Sequence, residues 1–198
     1  MGYKGVATTE NCYSGTTCLI NKLNIKDERI LNQIESEITF AKISELERNP
    51  IKGNFDFGHY KAIHKFIFED LYEWAGTIRT IDISKKATSF VKANEIEKLA
   101  DECFLRIKNN DFFKNDSFNE FVEDITDFYI TTNMLHPFRE GNGRTQRVFL
   151  SQLIRNAGYD IDFSKIDTDE LMIATIQSAQ GINSYLIDFF KNSIINKK

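Results

Sequence analysis

The residues best suited to chemistry lie in one stretch, 136–147, which reads HPFREGNGRTQR. It combines a histidine, a carboxylate, a Gly-Asn-Gly turn and two arginines three residues apart, Arg144 and Arg147. Glycines let a turn adopt positive φ and direct its backbone N–H groups to one side. Helix-like sequence follows from Thr145, so the turn should lie at a helix N-terminus, where N–H groups and the helix dipole attract anions. The stretch therefore predicts a binding site for a negatively charged ligand.

The charged side chains of this stretch favour a polyphosphate as that ligand. Arg144 and Arg147 share one helix face, and two guanidiniums beside backbone donors suit several phosphates better than one carboxylate. Glu140 is placed to hold a Mg²⁺ ion that bridges phosphates. His136 is the natural general base near neutral pH. These residues together indicate nucleotide phosphates, a metal ion and a base that activates a nucleophile.

The same stretch resembles the signature HxFx[D/E]GNGRxxR of the Fic family and matches it at every defined position. The resemblance implies a protein adenylyltransferase that moves AMP from ATP to a Ser, Thr or Tyr hydroxyl of a target protein. His136 would be the catalytic base, and Glu140 would hold Mg²⁺ between phosphates. The residues that would bind the nucleotide, with the two arginines on the β- and γ-phosphates, are Gly141, Asn142, Gly143, Arg144 and Arg147.

Residues 77–92 interrupt the helical pattern with two β-like runs around a polar tip. This pattern predicts a short β-hairpin. Its place in the chain resembles that of the Fic flap, a hairpin over the active site that pairs with the target backbone as an added strand. Lys85 and Lys86 at the tip could help to screen phosphates, whereas the alternative is a connector without a function.

The remaining chain shows the apolar spacing of helices. Helices are predicted over 26–48, 58–75, 93–109, 117–135, 145–157, 168–180 and 182–195. In the first of these, the residues expected to face the core are Ile30, Ile34, Ile38 and Ala41. The central helix, 117–135, should carry His136 on a loop at its end. We therefore expect an all-α Fic-type fold with a hairpin flap, in which an N-terminal arm (1–25) precedes one domain (26–195).

Composition limits the possible classes of function. The chain has 198 residues and a net charge of −4, which argues against a dedicated nucleic-acid-binding protein. Its three cysteines form no CxxC pair, so reduced thiols in a cytosol are expected rather than a disulfide framework or a zinc site. The sequence has no apolar run of about 18 residues and no recognisable signal peptide. These features predict a cytoplasmic protein.

Regulation is a second implication of the resemblance. Fic proteins are commonly inhibited by a helix carrying [S/T]xxxE[G/N], whose glutamate pairs with the second signature arginine, here Arg147. Residues 44–49 approach this pattern with the wrong spacing, and residues 178–183 lack a glutamate. The chain therefore resembles the toxin half of Fic toxin–antitoxin pairs, in which a small antitoxin supplies the glutamate. Toxins of this kind are expected to modify DNA gyrase and topoisomerase IV.

Several alternatives remain open. Asn183 interrupts two predicted helices near the place of the family's adenine pocket, so it is a candidate nucleotide ligand, although a plain helix–helix turn would explain it too. His59 and His64 are expected to be surface or packing residues. The chain could instead transfer another nucleotide or phosphate-bearing group, remove AMP from a target, or bind ATP without catalysis. A helical nucleic-acid-binding protein would use Arg139, Arg144, Arg147 and Arg155.

Overall fold

The computed structural model describes residues 10–85 and 88–196. Within them, the α-helices are α1 (Glu28–Arg48), α2 (Phe57–Phe68), α3 (Ile96–Asn109), α4 (Phe118–Leu135), α5 (Asn142–Asn156), α6 (Thr168–Ser178) and α7 (Ser184–Ser193). Two antiparallel pairs of two-residue strands complete the fold: β1 (Ser84–Lys85) with β2 (Thr88–Ser89), and β3 (Tyr159–Asp160) with β4 (Ile195–Asn196). The predicted all-α fold with a small hairpin is confirmed.

The central helix is α4, which packs against α3, α5 and α7. A capping box begins it, because Glu120 accepts from the backbone and hydroxyl of Ser117. Its buried face carries Phe121, Val122, Ile125, Phe128, Tyr129, Thr132 and Leu135. Phe118, at the start of the helix, is only partly buried. The helix ends at His136, so the core itself fixes the position of the histidine.

The predicted inner face of α1 is wrong in part, because Ile38 packs against the core but Ala41 is exposed. Ile30 is 52% exposed, whereas the buried residues of this helix are Leu31, Glu35, Thr39 and Leu46. The reason is that the N-terminal half of α1 lies against the signature stretch rather than against an apolar surface. Glu35 and Thr39 both contact Arg144, and this polar partner makes their burial possible.

The second predicted helix, 58–75, is also too long. α2 ends at Phe68, and the chain continues through tight turns to Gly76. These turns are held by bonds such as Leu71 N–H to Phe68 C=O. Gly76 has a φ of +82°, and its N–H donates to Nδ1 of His64 at 2.8 Å. The chain must fold back to make this contact, so the helix cannot continue.

Smaller differences concern element ends. A 3₁₀ turn (Ala93–Glu95) precedes α3, and α6 and α7 are shorter than predicted, with residues 179–183 between them. The β3–β4 pair was not predicted, because two-residue strands leave no alternating pattern. Lys86 and residues 1–9 of the predicted arm lie outside the described residues. In the part of the chain that is described, no helix has the length and apolar character needed to span a membrane.

Candidate active site

His136 is held in one orientation at the end of α4. It adopts left-handed φ of 41° and is 7% exposed. Its Nδ1 lies 3.0 Å from the carbonyl oxygen of Asn133, so in the neutral imidazole Nδ1 carries the hydrogen and Nε2 carries the lone pair. Phe90, from the 77–92 segment, stacks on the ring with centroids 3.7 Å apart. The basic atom of the site is therefore Nε2.

The surroundings of His136 keep its imidazole neutral. Burial is the main cause that lowers its pKa to about 3, and the positive charges of Lys85 and Arg79 act in the same direction. The hydrogen bond to the Asn133 carbonyl opposes them. A neutral imidazole at pH 7 is the form that a general base requires. A bound polyphosphate would raise this pKa, because nearby negative charge favours the protonated form.

The turn before α5 is built as an anion site. Gly141 is the N-cap of α5 and has a φ of +81°. A Cβ on it would lie 2.2 Å from the ring of Phe68, so both the backbone conformation and the close contact require glycine. The first hydrogen bond within the helix runs from Thr145 N–H to the Gly141 carbonyl. The N–H groups of residues 142–144 consequently have no acceptor inside the helix and can bind an anion.

The side chain of Asn142 makes its hydrogen bonds within the loop. Its Oδ1 accepts from the Phe138 N–H at 2.8 Å, and its Nδ2 donates to the Phe138 carbonyl at 2.7 Å. The side chain is buried and closes the loop between α4 and α5. Only its main-chain N–H is therefore available to line the anion site. Phe138 itself is fully buried and stacks on His64 at 3.7 Å.

His64 holds the same loop through a hydrogen bond to its backbone. Because Nδ1 accepts from Gly76, the hydrogen lies on Nε2, which donates to the carbonyl of Glu140 at 3.0 Å. Burial lowers the pKa of His64 to about 3, so this neutral tautomer is kept at pH 7. Of the two possibilities for His64, packing is the correct one. The histidine fixes the backbone that carries Glu140.

Glu140 suits a metal ion that is held mostly by phosphates. Its carboxylate is partly exposed, and its Oε1 accepts from the Gly141 N–H at 2.8 Å. Among residues 10–85 and 88–196, no group of three His, Cys, Asp or Glu side chains could hold a metal alone. Mg²⁺ commonly binds through one or two carboxylates together with substrate phosphates. A single carboxylate beside the anion turn fits that pattern.

The two signature arginines have different surroundings. Arg144 bonds to Glu35 at 2.5 Å and to the Thr39 hydroxyl at 3.1 Å. Arg147 is partly buried and lies beside the anion turn, since a Cβ on Gly143 would be 3.3 Å from its Nη1. In the described ranges, no carboxylate lies within 4.0 Å of Arg147. Burial lowers its pKa, and Arg144 contributes in the same direction. A partly desolvated guanidinium of this kind is a strong anion ligand.

Arg79 contacts the site although no pattern in the sequence points to it. It is 5% exposed, and its guanidinium donates to the carbonyls of Ile81 and Val91, at the two ends of the hairpin segment. It also donates to the His136 carbonyl at 2.8 Å. Arg79 therefore joins the base of the hairpin to His136, the residue predicted to be the general base. A lone arginine before a hairpin gives no sequence signal of this kind.

The other predicted ligands are less tightly connected to the site. The hairpin is present, with Ser84 opposite Ser89, and the exposed Lys85 is near enough to His136 to lower its pKa. Lys86 lies outside the described residues. Asn183 is exposed at the start of α7, and its Oδ1 accepts from the Ser178 hydroxyl at 2.9 Å. This contact accounts for the helix–helix turn, and a role for Asn183 at the nucleotide stays a prediction.

Two of the four arginines considered for nucleic-acid binding, Arg144 and Arg155, are paired with carboxylates. Arg155 is paired with Glu47 at 2.5 Å and with Asp160 at 2.7 Å, and Arg144 is paired with Glu35. Their charges are offset within the fold. This arrangement disfavours contacts with a phosphodiester backbone, which depend on unpaired cations.

One family model and several curated proteins match this chain. The model of the Fic/DOC family matches residues 54–154. The chain is 40% identical to the protein adenylyltransferase VbhT of Bartonella schoenbuchensis over 84% of this chain, but it spans only 35% of that protein. It is 38% identical to a probable protein adenylyltransferase of Sinorhizobium fredii, covering 86% of this chain and 88% of that one. The names of both relatives give the enzyme class that the sequence predicts, protein adenylyltransferase.

Solved structures show the same fold. The BepC protein of Bartonella tribocorum, with bound AMPPNP, superposes with a TM-score of 0.88 at 27% identity, covering 98% of this chain and 100% of that chain. The N-terminal Fic domain of a Bartonella quintana effector, with bound ADP, gives 0.89 at 26% identity and 97% coverage of both chains. The signature, the hairpin and the helical core thus agree with both comparisons, and the chain belongs to the Fic/DOC family.

Proposed function

We propose that this chain is a protein adenylyltransferase, which transfers AMP from ATP to a Ser, Thr or Tyr hydroxyl of a target protein. The observation that carries the proposal is the arrangement around one turn. A neutral histidine with its lone pair on Nε2 precedes the N-terminus of α5, and Arg147 on that helix has no carboxylate within 4.0 Å among the described residues. The names of the relatives and the AMPPNP and ADP in related structures support the same activity.

The proposed reaction uses one proton transfer and one displacement. Nε2 of His136 takes the proton of the target hydroxyl, and the oxygen attacks the α-phosphorus of ATP. The bond from that phosphorus to the β-phosphate bridging oxygen breaks, so pyrophosphate leaves and AMP stays on the target. Asn133 and Phe90 hold the imidazole for this step. Arg79 joins the hairpin to the His136 carbonyl. It thereby keeps the hairpin, on which the target would dock, beside the base.

The phosphates would be held by the turn and by the signature arginines. Backbone N–H groups of Asn142 and Gly143 would bind the α- and β-phosphates, with Arg144 on the β-phosphate and Arg147 on the γ-phosphate. Glu140 would hold Mg²⁺, which neutralises charge on the phosphates when it is bound. Catalysis of this kind depends on positioning and on preorganised electrostatics rather than on a covalent intermediate.

We further propose that the enzyme is a toxin inhibited by a small partner protein. The absence of a carboxylate within 4.0 Å of Arg147, in the part of the chain described above, is consistent with a glutamate supplied from outside. Such a glutamate would occupy the place of the γ-phosphate and would so exclude productive ATP. The proposed targets, DNA gyrase and topoisomerase IV, rest on the resemblance to Fic toxins alone.

The activity is tested with nucleotides labelled at the α-phosphorus, added with Mg²⁺ and the purified protein to a bacterial lysate. We expect a labelled protein band with wild type and none with His136→Ala. His59→Gln is the matched control, because His59 is a buried histidine that bonds Ile51 away from the signature, and it should label as wild type does. Label in both variants, or in neither wild type nor variants, would contradict the proposal.

Two additions to this assay separate the finer alternatives. ATP, GTP, CTP and UTP compared side by side give the nucleotide preference, and we expect ATP to label best. Purified DNA gyrase and topoisomerase IV replace the lysate to test the proposed targets. Binding of AMPPNP without any transfer would indicate instead a non-catalytic nucleotide-binding module.

A further inference from the structure

The ion pair between Arg144 and Glu35 has no part in the proposed reaction. Glu35 lies on α1, far from the signature in sequence, and is 6% exposed. Its Oε1 accepts from Nη2 of Arg144 at 2.5 Å. Its other oxygen, Oε2, accepts from the hydroxyl of Tyr72. Both oxygens of a buried carboxylate are therefore used, one of them on a signature arginine.

The guanidinium of Arg144 is enclosed on several sides. The Thr39 hydroxyl, one helical turn after Glu35 on α1, accepts from Nη1 at 3.1 Å. The ring of Phe68 lies under the guanidinium, 4.7 Å from its carbon to the ring centroid. Glu140 contacts Nη2 more loosely, at 3.4 Å. These contacts come from different parts of the chain, and together they fix both the plane and the rotation of the guanidinium.

Glu35 is itself held in place. Tyr72, which donates to it, is fully buried and stacks on Trp74 with centroids 4.3 Å apart. Burial raises the pKa of Tyr72, and Glu35 acts in the same direction, so the phenol stays a donor at every physiological pH. Trp74 therefore contacts Tyr72, Tyr72 contacts Glu35, and Glu35 contacts Arg144. Each member restricts the next one.

We propose that Glu35 is a positioning residue, which holds the Arg144 guanidinium in the orientation that binds a nucleotide phosphate. This inference rests on the proposed function. A role as a competitor of phosphate is disfavoured by the structure. If phosphate drew Arg144 away, Glu35 would remain buried without its cation, and leaving one member of a buried pair alone is costly. The pair is therefore expected to persist when ATP is bound.

The chain provides a closely matched control for this proposal. Glu47 lies on the same helix α1 and accepts from Arg155 of the same helix α5 at 2.5 Å. This pair joins the two helices as the Glu35–Arg144 pair does, but it contains no signature residue. Glu47→Gln therefore removes a carboxylate–arginine pair between α1 and α5 without touching the site. Glu35→Gln is nearly isosteric, and its amide oxygen can still accept from Tyr72.

The test compares wild type, Glu35→Gln, Glu47→Gln, Arg144→Ala and the double variant of Glu35 and Arg144. Calorimetry gives the affinity for AMPPNP with Mg²⁺, and α-labelled ATP in lysate gives kcat/KM for transfer. Thermal unfolding of each variant is recorded. We expect Glu35→Gln to lose about tenfold in kcat/KM, the order of loss seen when groups that orient a ligand are removed, and Glu47→Gln to keep the wild-type value.

The double variant decides whether Glu35 acts through Arg144. In the Arg144→Ala background, Glu35→Gln should change neither the affinity for AMPPNP nor the remaining transfer, whereas in wild type it should change both. Equal effects in both backgrounds would overturn the proposal, and so would faster transfer by Glu35→Gln, which would make the carboxylate a competitor. Wild type that binds AMPPNP without transfer would contradict the proposed function alone, since the binding cycle still tests the role of Glu35.

Discussion

Acidification should destabilise this protein partly through His136, and the size of the effect follows from its burial. In the unfolded chain a histidine has a pKa of about 6.5, whereas in the fold burial lowers the pKa of His136 to about 3. The unfolded state then binds more protons than the folded state below pH 6.5, so stability falls as pH falls. His136 therefore does not lower the unfolding free energy above about pH 6.5, but lowers it progressively as the pH falls toward 3.

The expected magnitude at pH 5 is set by the unfolded chain. Each pKa unit corresponds to about 1.36 kcal/mol, and pH 5 lies about 1.5 units below the unfolded pKa, so keeping His136 neutral costs about 2 kcal/mol of unfolding free energy there. His64, whose pKa is also lowered to about 3 by burial, contributes a similar loss. Carboxylates that titrate in this range affect wild type and a His136 variant equally and cancel in the comparison.

The assay is urea unfolding of wild type and His136→Ala at pH 7.5 and pH 5. Between these two pH values, the unfolding free energy of His136→Ala should fall by about 2 kcal/mol less than that of wild type. At pH 7.5 the variant should lose only about 1–2 kcal/mol, because alanine tolerates the left-handed φ less well and loses the contact with Phe90. Equal losses on acidification in the two proteins would show that His136 is not kept neutral by burial.

Two further substitutions probe the anion turn. Gly141→Ala should lower the unfolding free energy by about 2–4 kcal/mol, because its Cβ would lie 2.2 Å from the Phe68 ring at a φ of +81°. A loss under about 0.5 kcal/mol in urea unfolding would contradict the required close approach. Arg147→Ala should weaken binding of AMPPNP with Mg²⁺ about tenfold or more in calorimetry, as expected for loss of a charged hydrogen bond. Little stability should be lost, since no carboxylate of residues 10–85 and 88–196 pairs with Arg147. Unchanged affinity would place the phosphates elsewhere.

The parts of the fold that could be predicted are those in which local pattern and global packing agree. The helix α4 shows this best, because its apolar spacing and its end at His136 are both visible in the sequence. The turn before α5 was similarly readable, because Gly141 with positive φ and a following helix agree with the Gly-Asn-Gly sequence. The hairpin was predicted from a change of period, although its paired strands are only two residues long.

The parts that could not be predicted depend on contacts between distant segments. Apolar periodicity predicted that Ile30 is buried and gave no prediction for Glu35 and Thr39. Burial of these two polar residues can be predicted only when their partner, Arg144, is known. The end of α2 at Phe68 depends on a hydrogen bond to His64, which no local propensity encodes. Arg79 donates mainly to backbone carbonyls. Because every residue has a backbone carbonyl, these acceptors leave no pattern in the sequence.

The central claim is that His136 promotes transfer of the α-phosphorus with its nucleoside, and one labelling experiment tests it most directly. Wild type and His136→Ala are incubated with the same lysate and Mg²⁺, and with ATP labelled either at the α-phosphorus or at the γ-phosphorus. The account predicts that α-labelled ATP labels protein with wild type and not with His136→Ala. It also predicts that any label from γ-labelled ATP is the same with both proteins. Label that comes from the γ-phosphorus, or α-label that survives in His136→Ala, would contradict it.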